Sequence, residues 1–582
     1  MKNNKKETFW AYLCSAPSLL LILLIVVFPI LYTAYISFTN MNVYHWFNFS
    51  FVGLKNYKDA LFVFDSGFLA ALLRTILWTV LNMVLQLVIA FVLASLLNIQ
   101  DFKGRRVYKT LLMIPWAMPG YVSILLWKTG IFNSQFGLLN QWMQKLGLAT
   151  VRWLANDVSA FLCCTVVNLW LALPFMIMIM DGALQAVDHS CYESAILDGA
   201  NWFQRAYFIT IPAIRPIIAP SVLITVFTTF KQFDVVYLLT QQAGAKTGAN
   251  IHTILTYAYE NAFITNNYGY SSAVSILIFA ILILFSMVTS RKAKEGYQMT
   301  RHQKRMLKQA AKQICLHILF IVICFVTLIP ILYALSVSLN ADNSLVSSDF
   351  RFIPKDFTLR NYVAVFTEEP VMLWFKNSMT LAVVTVVISL AAAIPAAYAF
   401  SRMRFKGRKP ILKQLVLLYS FPSVLSMFAI YTLLRPLGLI NSKAGLILIY
   451  TGTMAEFGLL NMKGYFDTIP REIEEAAEID GASGIQLVTR IVLPLARPSI
   501  LVTAVMILIY VWNEYLFATT FMTGAENYTL AAGLYSLQAT EMSGSWPVFA
   551  AASLVVSLPI LIVFFAVQRH MTSGLTAGGV KG

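Results

Sequence analysis

The sequence predicts an all-α polytopic membrane protein, built as two tandem six-span units. Three observations carry that expectation. The 582-residue chain is 58% hydrophobic and 12% charged, about half the charged share of an ordinary soluble domain, and its mean hydropathy is +0.70. Twelve apolar stretches come close to or exceed the ~20 residues that a helix needs to cross a bilayer. A polar segment also recurs at a fixed offset. Glu193-Ser-Ala-Ile-Leu-Asp198-Gly199-Ala200, followed by Pro212 and Pro216, returns 282 positions later as Glu475-Ala-Ala-Glu-Ile-Asp480-Gly481-Ala482, followed by Pro494 and Pro498.

In chain order the expected spans are 12–38, 72–97, 108–130, 160–181, 217–239 and 272–290, then 313–338, 377–400, 411–434, 444–462, 499–521 and 547–568. The first run is longer than the apolar core of a signal peptide and lacks a small-residue cleavage site, so it reads as a retained span. Further landmarks pair the halves. Phe28-Pro29-Ile30 matches Ile329-Pro330-Ile331. Asn56-Tyr57 matches Asn361-Tyr362, Phe102-Lys103-Gly104-Arg105 matches Phe405-Lys406-Gly407-Arg408, and Pro119 matches Pro422. The units are expected at 1–290 and 313–582, joined by a basic, helix-favouring linker at 291–312 that looks like the scar of a fusion.

The net charge of +16 would suit nucleic acid if it formed a patch. Instead it concentrates in alternate gaps between spans, at Lys2, Lys5 and Lys6, at 103–106, at 291–312 and at 402–413, while 522–546 is poor in Lys and Arg. That alternation is a topology signal. It places both termini and both repeated loops, 185–215 and 467–498, in the cytoplasm of a cell-membrane protein. The extracellular segments, roughly 39–71, 131–157, 241–271, 339–376 and 522–546, are too short for a ligand-capturing domain. Six cysteines fall in spans or on the cytoplasmic side and have neither disulfide nor metal spacing; no metal site is expected.

Within the first repeated loop, Asp188 is placed to cap a helix and Gly199 to turn the chain. A second short helix at 201–210 is expected to stop at Pro212. The second loop repeats the plan, with Thr468 and Pro470 at its start, Gly481 at its turn and Pro494 at its stop. The product is a helix–turn–helix knob able to sit in a partner's groove and transmit a push.

The pattern Glu475-Ala476-Ala477…Gly481…Ile491-Val-Leu-Pro494…Pro498 resembles the coupling loop of ABC importer permeases. The first copy departs from it by Ser194 in place of Ala. Nearly the whole chain resembles the carbohydrate branch. The first half is similar to the maltose-type permease that contacts sugar. The second is similar to that permease's partner, including Trp512-Asn513-Glu514-Tyr515 and the ending from Gly574 to Gly582. The departures are the fusion of two permeases in one chain and the absence of the large extracellular insertion of some maltose permeases.

The resemblance implies two tandem ABC type I importer permease units, alternating access, and import of a maltose- or maltodextrin-like oligosaccharide. It implies docking of two cytoplasmic ABC ATPases at Glu193, Asp198, Gly199, Glu475, Asp480 and Gly481. A tail at 570–582, with Gly574, Gly578, Gly579 and Lys581, would reach the ATPase interface, and an extracellular, lipid-anchored sugar-binding protein would deliver substrate. No cofactor is expected on this chain, because ATP and Mg would sit on the partners. The string Ala243-Gly244-Ala245-Lys246-Thr247 lacks phosphate-cradling spacing, so no ATP hydrolysis of its own, and no enzymatic role, is expected.

A neutral sugar needs hydroxyl-binding groups near the midplane. Aligned on Leu238-Leu239-Thr240, Thr225, Thr228, Thr229 and Gln232 fall where the maltose-type permease contacts sugar. Tyr237, Asn168 and Trp170 are further candidates. Asp234, Asn513 and Glu514 are read as gating or structural, because a carboxylate inside a span faces a cavity or a partner. The competing class is a twelve-span, ion-coupled secondary sugar transporter. It needs no repeated knob, but it does need titratable pairs along the pathway. A membrane-embedded enzyme is disfavoured by the lack of a His-rich metal cluster or a nucleophile–base pair.

Overall fold

The computed structural model describes residues 2–63, 67–99, 102–135, 137–187, 189–242, 245–246, 251–290, 310–341, 354, 356–539 and 546–577. Asp188, most of the linker at 291–309, and Gly578, Gly579 and Lys581 lie outside the described residues. Gly574 lies within the last helix, Trp546–Ala577.

The described chain is helical apart from loops, a two-residue antiparallel hairpin (Gln241–Gln242 with Ala245–Lys246) and two single bridges. Among the described residues nine helices are long and apolar enough to cross a membrane, or up to twelve when three sharply bent pairs are each counted as one span. Backbone donors and acceptors have no partner in hydrocarbon except one another, which is why these apolar runs are helices.

The third spans, read from the sequence as the apolar runs 108–130 and 411–434, are each sharply bent. Arg105–Ala117 meets Gly120–Ile131 at 89°, and Arg408–Leu418 meets Ser423–Leu437 at 91°. Pro119 and Pro422 stand at the two corners. A residue before proline is driven out of the helical region, and Met118 is extended at φ −77°, ψ 148°. The fifth span of the second half is bent as well, by 74° between Gly484–Leu495 and Arg497–Asn513. Pro212 does not stop its helix. A π-helical turn at Ala206–Thr210 runs directly into Ile211–Phe230, so the chain stays helical through Pro212.

The paired landmarks build paired structures. After the first span, Asn56 Nδ2 donates to the carbonyls of Ser37 and Thr39 at 2.9 and 2.8 Å, and Tyr57 shares a 2.6 Å hydrogen bond with Ser37. In the second half, Asn361 Nδ2 donates to Ser338 and Asn340 at 3.0 and 2.8 Å, and Tyr362 bonds Ser338 at 2.8 Å. Both clamps fold a loop back under its own span. Thr75 Oγ1 and Ser378 Oγ likewise each accept from the backbone N–H of a distant helix start, Ile254 and Leu530, at 2.8 Å.

The halves clasp each other reciprocally. The first span, Glu7–Ile36, packs along Val371–Arg402 and Lys443–Phe466 of the second half. There Tyr12 donates to the Lys406 carbonyl at 2.8 Å and meets the Phe405 ring edge-on. In return, Ala310–Ser338 packs against Arg105–Ala117. His317 Nδ1 pairs with Tyr108 Oη at 2.8 Å, and Trp170 Nε1 donates across the halves to the Thr327 carbonyl at 2.8 Å. Each first span is therefore held by the other half, and the hydrophobic core is continuous across the pair.

Candidate functional site

Two features stand out: a polar cavity where both fifth spans break, and the two knobs between spans four and five. In the first half the helix Ile211–Phe230 ends, Lys231–Phe233 run non-helically, and Asp234–Thr240 forms a new short helix. In the second, Arg497–Asn513 ends at Glu514 and a new helix starts at Leu516–Phe521. Unwound backbone deep in a membrane protein is tolerated where it lines a cavity. Both breaks open onto the same one, of about 490 Å³, whose polar wall includes Lys231, Gln232, Asp234, Tyr419, Thr453, Glu456, Tyr510, Asn513, Glu514 and Tyr515.

Each charge in that wall has a distinct setting. Glu514 is held by its own half-helix, accepting from the N–H groups of Phe517 (2.8 Å) and Ala518 (3.3 Å) and from Tyr450 Oη at 2.6 Å. A carboxylate at a helix N-terminus is favoured by the exposed amides and the helix dipole. Lys231 Nζ donates to the Tyr419 carbonyl at 3.1 Å and lies 5.3 Å from the centre of that ring. Glu456 is 3% exposed, and its Oε1 has no protein partner; the same is true of Asn513 Oδ1 and the Tyr515 hydroxyl.

The residues expected from sequence divide clearly. Gln232, Asp234, Asn513 and Glu514 share the cavity wall. Thr225 and Thr228 donate to their own helix, at the Ser221 and Thr225 carbonyls, and Thr229 offers its carbonyl to Trp78 Nε1. Asn168 Nδ2 donates to Asn82 Oδ1 at 2.7 Å, Trp170 is committed to Thr327, and Tyr237 stacks on Phe233 within an aromatic cluster. These six do not line the cavity. Lys231 and Glu456 were not singled out in the sequence. Both sit inside expected spans, and the rule that an intramembrane charge faces a cavity or partner finds them as readily as it finds Glu514.

The knobs match position by position. Helices His189–Leu197 and Arg471–Ile479 end at Gly199 and Gly481, with φ of +79° and +85°. Ala200 N donates to the Ala195 carbonyl at 2.8 Å, and Ala482 N to that of Ala477 at 3.0 Å. Each turn then runs into a reciprocal capping box, Asn201 with Gln204 and Ser483 with Gln486, which satisfies helix-start donors from both ends. Leu197 and Ile479 are 89% and 86% exposed at the two tips. Asp198, Glu475 and Asp480 are exposed beside them, and Glu193 is half-buried.

The seating of the knobs differs. Glu474 does not join Glu475 and Glu478 on the exposed face of the knob. It is buried, accepting from Arg402 Nε at 2.6 Å and from Tyr398 Oη at 3.3 Å, while Arg402 Nη2 donates to the Ile469 carbonyl at 2.8 Å. In the first half Tyr192 stands at the position of Glu474. A cavity of about 610 Å³ opens behind that knob, lined in part by Asn98, Ile99, Tyr192, Glu193, Trp202 and Arg205.

Comparison with known proteins agrees with this doubled architecture. The family model described as "Binding-protein-dependent transport system inner membrane component" matches twice, over 86–293 and 389–576. The chain is 38% identical over 256 residues to the galactooligosaccharides transport system permease protein GanQ of Bacillus subtilis, covering 44% of this chain and 90% of that one. It is 37% identical over 259 residues to the inner membrane ABC transporter permease protein YcjP of Escherichia coli, covering 44% and 92%. It is 33% identical over 271 residues to the maltodextrin transport system permease protein MdxG of Bacillus subtilis, covering 46% and 96%. Each relative corresponds to about half of this chain, while the family unit occurs in both halves. The chain thus belongs to the binding-protein-dependent transport system inner membrane components, and carries two copies of the family's unit in one polypeptide.

Proposed function

We propose that this chain forms the complete transmembrane pore of an ATP-driven carbohydrate importer for a maltodextrin- or galactooligosaccharide-like substrate. The observation that carries the reading is the meeting of two matched helix breaks at one polar cavity between the halves. Half-helix ends and unwound backbone at a repeat interface are where transporters hold solutes. Gln232, Asp234, Asn513, Tyr515 and Glu456 are the groups offered to the sugar hydroxyls. Two of the relatives named above, permease proteins of galactooligosaccharide and maltodextrin transport systems, support the substrate class.

In this reading the two units span 1–290 and 313–582, in a cell membrane with both termini cytoplasmic. The knobs dock on two ABC ATPases through Leu197 and Ile479 and the acidic residues beside them, and the glycine-rich tail reaches between the ATPases. An extracellular binding protein delivers the sugar. ATP and Mg are held by the partners, and this chain binds no cofactor. Closure of the ATPase pair would push the knobs together and rock the halves between inward and outward access. The ion-coupled carrier reading has no use for two matched knobs.

The test is co-purification of the tagged chain from native membranes. A P-loop ATPase should accompany the wild type and be depleted by Glu193→Lys together with Glu475→Lys. Recovery of the chain free of any ATPase, with solute uptake following an ion gradient, would remove this reading.

A further inference from the structure

The cavity wall carries three carboxylates, Asp234, Glu456 and Glu514, against one ammonium, Lys231. The ammonium is turned onto the wall, donating to the Tyr419 carbonyl and lying against the Tyr419 ring; its charge acts on Glu456, but it stands beyond salt-bridge distance of all three carboxylates and so offsets one of them only in part. Glu514 is satisfied by two backbone N–H groups and a tyrosine hydroxyl. Asp234 and Glu456 have no such donors, and Glu456 presents an unpartnered Oε1 although the residue is 3% exposed. Carboxyl oxygens left open in a low-dielectric wall invite donors, namely hydroxyls and ammonium groups, and in their ionised form they repel anions.

We propose that this cavity is charge-selective: it passes neutral and amino-bearing saccharides and rejects those carrying carboxylate or sulfonate groups, with Asp234 and Glu456 imposing the selection. The proposal rests on the carbohydrate reading above and names the substrate class within it. Two like charges separated by a few ångströms through protein interact strongly enough to disfavour an anionic solute by roughly tenfold or more per wall carboxylate.

The field of the cavity can be read without a sugar or a binding protein. Gln232→Cys on the cavity wall and Tyr44→Cys, at a site 90% exposed, are each placed in the full-length chain in proteoliposomes. Labelling rates with 2-aminoethyl and 2-sulfonatoethyl methanethiosulfonate are then compared, after subtracting those of the unsubstituted chain. The cationic-to-anionic ratio should be at least roughly tenfold higher at position 232 than at position 44. Glu456→Gln and Asp234→Asn, introduced separately so that the loss of one variant leaves the other, should each bring it down by a similar factor. Equal ratios at the two positions, or a preference for the anionic reagent, would overturn charge selection.

Uptake by the chain assembled with its ATPase and binding protein separates the two levels of the account. Import of neutral and amino-bearing trisaccharides without uronate trisaccharides supports the proposal. Equal import of uronates sinks it and leaves the carbohydrate reading standing. Import of no saccharide of any charge removes the carbohydrate reading itself, whatever the labelling ratios.

Discussion

Replacing Glu474 with alanine should loosen the second knob and leave the rest of the fold in place. Glu474 and Arg402 lie 2.6 Å apart, and both side chains are 9% exposed. Removing one partner of a buried ion pair strands the other charge at a cost of about 3–5 kcal/mol. The loss falls locally, because Arg402 ties the knob to the end of Val371–Arg402 through this contact and through the Ile469 carbonyl. Local opening of 471–482 should then become easier by roughly two to four decades. Hydrogen exchange of the purified chain reads this directly. Amides of 471–482 should lose protection by about that factor, while those of 190–200 do not change. The partial rescue expected of Glu474→Gln, which keeps an acceptor for Arg402 without the charge, would separate hydrogen bonding from bulk. Unchanged protection of 471–482 in Glu474→Ala would refute the reasoning.

Other outcomes follow from the same geometry. Gly199→Ala and Gly481→Ala should each cost about 1–2 kcal/mol of local stability, purely through left-handed backbone strain, because a Cβ at either site meets nothing within 4 Å; equal losses of knob protection are expected. Asn56→Ala and Asn361→Ala each remove two side-chain hydrogen bonds to backbone carbonyls and should destabilise by about 1–3 kcal/mol, which thermal unfolding in detergent can measure. Separate expression of 1–290 and 313–582 should still give a complex that co-purifies, since each first span packs in the other half; failure to associate would mean that the linker holds the halves together.

Much of this architecture was legible in the chain because the repeat leaves the same residues doing the same physical work. Asn56 and Asn361 clamp equivalent loops, and Gly199 and Gly481 turn equivalent knobs. What was not legible depends on direction and depth, to which hydropathy is blind. Pro119 and Pro422 were visible as landmarks, but an apolar run reads the same whether it is straight or folded through a right angle. Glu474 and Glu475 are neighbours in sequence yet sit about 100° apart on a helix, so one is buried on Arg402 and the other faces solvent. A single Lys231 or Glu456 barely alters the hydropathy of its window. Thr225 and Thr228 looked like sugar ligands by alignment, but a helical threonine can always spend its hydroxyl on the preceding turn.

The central claim is an ATP-powered pore shared by the two halves of one chain. The most direct measurement is uptake of labelled maltodextrin and galactooligosaccharide into proteoliposomes holding this chain, its ATPase and its binding protein, with no ion gradient. The account predicts uptake that requires ATP and the binding protein, and that falls when both knobs carry charge reversals at Glu193 and Glu475. Uptake that proceeds without ATP and tracks an imposed proton or sodium gradient would contradict it.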